Sequence, residues 1–308
     1  MKRDLVSLAE WKRSDLEEIF TLTRSLQKPG NAVTPVLPWT ASLVFELESL
    51  RTRMSFEVGV AQLGGHPIFL PQETIGMATR ESVHDIGVIL SQYCELIIAR
   101  TIRHQTCVQL AESATVPVIN ALTDLVHPCQ ILADAYTLME HNRFGPSNRI
   151  VFVGDGNSIA NSWLELAAKF PLHLVCACPA GHEPHPRILD DAQAAGLSTI
   201  EIVEDPLRGV EGADVVYTDV WPRGSGDAQG KVSKVFKAFH VDAKLLRHAK
   251  PDCLVMHRLP ANRGEEITSE VLDGSHSVAL EQARNRLHVQ KGIMTFLRCT
   301  TTSIPRVC

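Results

Sequence analysis

The chain has 308 residues, 44% of them hydrophobic and 21% charged, with a formal net charge of −5. That is the composition of an ordinary soluble protein long enough for two domains. The negative balance argues against nucleic acid as a partner, and no apolar run approaches the ~20 residues needed to cross a bilayer.

Eight cysteines lie scattered without paired CxxC spacing or a neighbouring histidine pattern. Neither a disulfide framework nor a zinc site is expected, and reduced thiols in a cytoplasmic protein are. Residues 1–6 carry charges with no long apolar stretch behind them, so no signal peptide is expected.

Leu8, Trp11, Leu16, Ile19, Phe20, Leu22 and Leu26 recur near helical spacing and predict an amphipathic helix over residues 6–27. Pro29, Gly30, Pro35 and Pro38 then break the pattern through residue 40. Leu43, Val44 and Phe45 end a strand, and Ser49-Leu50-Arg51-Thr52-Arg53 reads as a polar turn opening a helix. A helix start presents unpaired N–H groups and the positive end of the helix dipole, a natural anion seat. Two hydroxyls and two guanidiniums within five residues add donors suited to phosphate oxygens. A capped surface helix with solvated arginines fits the same spacing.

Further on, the pattern predicts a strand at 67–70, a loop at 72–82, a helix at 83–93 and a strand at 95–99 ending at Arg100. A helix at 107–113, a strand at 116–121 and a loop with a helix at 125–140 follow. Asn142–Asn148 reads as a domain boundary. Beyond it come strands at 150–153, 172–178, 199–203, 215–218 and 254–257. Strands alternating with helices predict an α/β fold of two domains, each a parallel β-sheet flanked by helices. Ligands in such sheets sit at the carboxyl ends of the strands, where the polar clusters of this chain fall. The domains are placed at 1–141 and 148–287.

Three clusters invite chemistry. Gly154-Asp155-Gly156-Asn157-Ser158 is a glycine turn between strand and helix, as in dinucleotide-binding folds. Its third small position is held by Ile159, and no well-placed acidic residue ends a second strand, so the fingerprint is partial. Arg100-Thr101-Ile102-Arg103-His104 gathers two arginines and a histidine where a strand ends, and also reads as a solvated strand end. His127-Pro128-Cys129-Gln130 opens a helix behind Asp124, which reads equally as a cap beside a buried histidine.

Together these stretches resemble the aspartate/ornithine carbamoyltransferase family, over nearly the whole chain and in the family's own order. Residues 49–53 are similar to its Ser-Thr-Arg-Thr-Arg phosphate loop, with Leu50 in place of the second hydroxyl. His127-Pro128-Cys129-Gln130 is the most specific match. Residues 256–267 resemble its His-Cys-Leu-Pro-Ala-His-Arg-Gly-Glu-Glu segment, and residues 281–286 its Glu-Ala-Glu-Asn-Arg segment.

The resemblance implies transfer of the carbamoyl group of carbamoyl phosphate to the amine of ornithine or a related amino acid, giving citrulline or an analogue. It implies Ser49, Leu50, Arg51, Thr52, Gln72, Arg100, His127, Gln130, Leu259 and Arg286 as the carbamoyl phosphate site. His127 would donate to the carbamoyl oxygen and Gln130 would hold the carbamoyl nitrogen. Asn157, Ser158, Asp219, Arg223, Gly224 and Arg258 fall on the acceptor side, with Asp219 orienting the α-ammonium group. The catalytic set is Arg100, His127, Gln130 and Arg258, the last standing where the family has a cysteine.

The activated donor requires no metal, nucleotide or other cofactor. The resemblance also implies small-molecule substrates, no membrane or nucleic-acid partner and a place in arginine biosynthesis. It further implies a homotrimer whose sites are shared through the loop around Gln72, and a C-terminal helix at about 288–308 packing back on the first domain.

The departures from the pattern cluster on the amine side. Arg223 and Gly224 replace a serine and a methionine, Ser158 replaces an asparagine, and Arg258 replaces the cysteine. An arginine repels an acceptor's ammonium and attracts a carboxylate. A different, carboxylate-bearing acceptor, or a weakly catalytic binding paralogue, therefore stands beside the ornithine reading.

Overall fold

Nine short strands, all paired in parallel, form two separate sheets in the computed structural model, which describes residues 2–28, 38–222 and 234–301. The first sheet holds β1 (Thr40–Phe45), β2 (His66–Pro71), β3 (Leu96–Arg100) and β4 (Val118–Leu122), in the order β2-β1-β3-β4. The second holds β5 (Arg149–Val153), β6 (His173–Ala177), β7 (Thr199–Val203), β8 (Val215–Thr218) and β9 (Leu254–His257), in the order β7-β6-β5-β8-β9. Central strands such as Leu96-Ile97-Ile98-Ala99 are apolar at every position and wholly buried, as a sheet covered on both faces requires.

The connecting helices are α1 (Arg13–Gln27), α2 (Leu50–Gln62), α3 (Gln72–Ile75), α4 (Val83–Leu90), α5 (His104–Ser113) and α6 (Pro128–Glu140). They continue as α7 (Ser158–Ala167), α8 (Pro186–Ala194), α9 (Pro206–Val210), α10 (Ala243–Leu246), α11 (Ser269–Leu272) and α12 (Ala279–Thr301). The chain divides into two compact units, Met1–Ala133 with Arg284–Cys308, and Asp134–Ala283. The divisions fall inside α6 and α12. No helix among the described residues is long and apolar enough to cross a membrane.

In each sheet the strand order reverses once beside the first strand, between β1 and β3 in one and between β5 and β8 in the other. Such a reversal leaves a crevice at the carboxyl ends of the two strands, because their connections leave toward opposite faces. The four strand ends are Phe45 and Arg100 in the first unit, and Val153 and Thr218 in the second.

Several expected elements differ. The first helix starts at Arg13 and not near residue 6, because Leu5 is bound to β4: its N–H donates to Val118 O (2.8 Å) and its O accepts from Asn120 N (2.8 Å). The segment from Gln72 is not all loop but begins with the single turn α3, closed by Gly76 in the left-handed region at φ 58°. Helix α5 starts at His104, since Asp124 Oδ1 accepts the His104 N–H at 2.8 Å; Asp124 thus serves α5 and not α6. Part of the proline-rich stretch after Lys28, together with Arg223 and Gly224, lies outside the described residues.

Candidate active site

In the first unit β1 ends at Phe45, and Glu46 ties it to the next strand by donating its N–H to Arg100 O (2.9 Å). Helix α2 follows with Ser49 as its cap: the residue is extended (φ −162°, ψ 112°) and its hydroxyl accepts from Thr52 N at 3.2 Å. This first turn follows β1, one of the two strands that flank the reversal, and a helix start offers N–H groups to an anion. Arg53 is committed elsewhere, pairing with Glu57 (2.8 Å) and lying 3.7 Å over the Phe69 ring. Arg51 is half-buried and Leu50 is exposed.

Thr52 is buried, and its hydroxyl accepts a 2.7 Å hydrogen bond from Nη2 of Arg286, itself 4% exposed and supplied by α12. Arg100 ends β3, in register with Phe45 on one side and Leu122 on the other. His127 and Gln130, both buried, open α6 directly after β4. Burial pushes the Cys129 thiol between them up to about 12, while the charge of Arg286 acts in the opposite sense. The carboxyl edge of the first sheet thus gathers Ser49, Arg51, Thr52, Arg100, His127, Gln130 and Arg286. A cavity of about 290 Å³ opens beside Ser49, lined also by Glu48, Leu50, Arg53 and Gln72. The Gln72 side-chain amide donates to Met77 O of its own loop at 3.0 Å.

The second unit builds its cluster in the same way. Gly154 (φ 129°) turns the chain after β5, and a Cβ at Gly156 would stand 2.3 Å from the backbone of Glu183 and Pro184. The second glycine is therefore used to seat the 182–184 segment, not to admit a pyrophosphate, and this removes the dinucleotide reading. Asn157 caps α7, accepting from Ile159 N (2.9 Å), and its Nδ2 donates to Asp219 Oδ2 (3.0 Å). Ser158 is buried in the first turn, its carbonyl accepting from the Ser162 hydroxyl at 2.7 Å.

Asp219, one residue past β8 and 2% exposed, also accepts from Arg258 Nε on both oxygens, at 2.8 and 2.7 Å. Burial opposes the charge on Arg258, but the Asp219 carboxylate outweighs it and the guanidinium pKa is raised. The acceptor-side carboxylate read from sequence therefore has a cationic partner within the chain.

The turn after β9 is held from beneath. Leu259 takes φ 57°, a strained value for a branched residue, and precedes a cis proline. Its N–H donates to His257 Nδ1 (2.9 Å), which leaves the imidazole proton on Nε2, facing Glu266 Oε1 at 3.1 Å. Glu266 Oε1 also accepts from Asn262 N (2.6 Å), and His257 N donates to Gln282. Nothing in the local sequence pattern assigns His257, Glu266 and Gln282 a part. Only their place inside the matched segments marked them.

A model of the "Aspartate/ornithine carbamoyltransferase, carbamoyl-P binding domain" matches residues 3–140, and one of the family's "Asp/Orn binding domain" matches residues 147–297. The chain belongs to the aspartate/ornithine carbamoyltransferase family. It is 44% identical over 303 residues to the ornithine carbamoyltransferase of Chlorobaculum tepidum, covering 96% of this chain and 90% of that protein. Its identity to the chloroplastic ornithine carbamoyltransferase of Pisum sativum is 47% over 273 residues, 88% of this chain and 73% of the relative. The Pyrococcus furiosus ornithine carbamoyltransferase structure superposes with a TM-score of 0.87 at 36% identity, covering 96% of both chains. The anabolic enzyme of Campylobacter jejuni gives 0.90 at 31%, covering 96% of this chain and 99% of that one. The two parallel-sheet domains of this carbamoyltransferase are thus those of its family.

Proposed function

We propose that the protein transfers the carbamoyl group of carbamoyl phosphate to the side-chain amine of ornithine or a closely related amino acid, yielding citrulline or its analogue and phosphate. The observation that carries the reading is the Ser49-capped helix start with buried Arg286 on Thr52, placed where the strand order of the first sheet reverses. The acceptor named for the relatives is ornithine.

In this reading Ser49, the Leu50 N–H, Arg51 and Thr52 hold the phosphate, with Arg286 completing the donor site. Arg100 spans phosphate and carbonyl oxygens, His127 donates to the carbonyl oxygen, and Gln130 orients the carbamoyl nitrogen. A neutral amine attacks the carbonyl carbon, negative charge develops on its oxygen, and preplaced donors stabilise it. Collapse breaks the C–O bond to phosphate, and the amine's proton leaves with the phosphate. Asn157, Ser158, Asp219 and Arg258 address the acceptor.

The working form is a homotrimer in the cytoplasm, with Gln72 contributing to a neighbouring site and the product feeding arginine synthesis. Equal amounts of citrulline and phosphate from carbamoyl phosphate and ornithine support the reaction; phosphate release unaffected by any amine contradicts it. Mixing Arg51→Ala and Gln72→Ala proteins should restore part of the activity through hybrid sites. A fully active monomer by sedimentation contradicts the shared site.

A further inference from the structure

Asp219 is the carboxylate on which the acceptor side of the second unit centres, and it is already engaged. It accepts three hydrogen bonds, two from Arg258 Nε (2.8 and 2.7 Å) and one from Asn157 Nδ2 (3.0 Å). An ionised carboxylate offers about four acceptor positions, so one remains. More telling is the charge: the buried Asp219 carboxylate lies in direct contact with a guanidinium that is permanently protonated. The pair sums to zero, whereas an isolated carboxylate would attract an ammonium.

Arg258 spends only Nε on this pair. Among the described residues neither of its terminal nitrogens has a hydrogen-bond partner, and the side chain keeps 18% of its surface exposed. Asp219 fixes the orientation of the planar group, so those nitrogens form a preset fork of the kind that recognises carboxylates. The neighbouring carboxylate, Asp155, offers little to an ammonium. It is bonded to His182 Nδ1 at 2.9 Å, and burial, aided by the charge of Asp219, raises its pKa.

We propose that Arg258 is the specificity-determining residue of the acceptor site: it takes Asp219 as its own counter-ion and presents its terminal nitrogens to a carboxylate of the acceptor. The site then selects an amine that carries a free carboxylate and no ammonium beside it, such as a diamino acid with an acylated α-nitrogen. This rests on the carbamoyl-transfer reading and specifies its acceptor. An ammonium set against Arg258 meets a like charge, and removal of the guanidinium returns Asp219 to the ammonium.

The test compares kcat/KM for ornithine with that for Nα-acetylornithine, in the wild type, Arg258→Ala and Arg258→Lys. Calorimetric affinities of both compounds in saturating inorganic phosphate provide the same ratio without turnover. The ratio should move toward ornithine by at least about tenfold in Arg258→Ala, the scale of one relieved like-charge contact. Arg258→Lys keeps the charge without the fork and should leave ornithine disfavoured while weakening Nα-acetylornithine. An unmoved ratio in Arg258→Ala, in turnover and in binding alike, overturns the proposal. Absence of phosphate release with every amine overturns the transfer reading instead, and the binding ratio still decides the role of Arg258.

Discussion

Glu266 should be among the most sensitive positions of the second unit, although it is one residue of a polar run that gives no hint of burial. Its Oε1 accepts from Asn262 N at 2.6 Å and from His257 Nε2 at 3.1 Å, and both Glu266 and His257 are fully buried. Hydrogen bonds to a charged acceptor contribute about 1.5–3 kcal/mol each, so Glu266→Ala should cost about 3–6 kcal/mol. Glu266→Gln keeps an acceptor without the charge, and neutral hydrogen bonds are about half as strong, so it should recover roughly half of that loss. The assay is urea unfolding by fluorescence in a Trp11→Phe, Trp39→Phe background, which leaves Trp163 and Trp221, both in the second unit, as reporters. Turnover should fall along with stability, because the network holds the Leu259 turn and places Arg258. An alanine variant within about 1 kcal/mol of the parent refutes the account, since a typical surface change costs that little. So does a glutamine variant as damaged as the alanine one.

Thr52→Val removes the oxygen that accepts from buried Arg286 at 2.7 Å, and should destabilise the first unit by about 1.5–3 kcal/mol while raising the KM for carbamoyl phosphate. Initial rates at varied donor concentration check it; an unchanged KM separates Arg286 from the donor site. Glu201 is held below its ordinary value of 4.5, first by the hydrogen bond from His173 and, against burial, by Arg149. A depressed folded pKa gives stability that is present above 4.5 and lost as pH falls through the lower folded value. Glu201→Gln should therefore lose under about 1 kcal/mol at neutral pH, the group being partly exposed, and the gap to wild type should close as the medium turns acid in a melting series.

The strand series was legible because every strand is a short apolar run bounded by turn residues, and parallel pairing between buried sheets demands that pattern. The start of α2 was legible too: Ser49 lies three residues before an N–H it can cap, and the charge cluster follows at once. What stayed hidden depends on distant partners. Leu8 and Trp11 keep helical spacing with α1, yet the pairing of Leu5 with β4 holds the preceding chain extended. The Gln72 turn forms within a polar stretch whose Gly76 reads as a helix breaker and in fact closes the helix. Arg258 and Asp219 stand 39 positions apart, and nothing in either local pattern announces their pairing. Likewise His257 and Glu266 show their purpose only once the Leu259 turn folds between them.

The central claim is that the start of α2 holds the phosphate of carbamoyl phosphate for transfer to an amine. The most direct measurement is amine-dependent phosphate release from carbamoyl phosphate by wild-type and Arg51→Ala proteins, together with donor affinity by calorimetry. Loss of one preorganised charged donor should lower turnover about 10²–10³-fold, with weaker donor binding and an unchanged circular dichroism spectrum. Near-normal turnover by Arg51→Ala would contradict the account and move the donor site elsewhere.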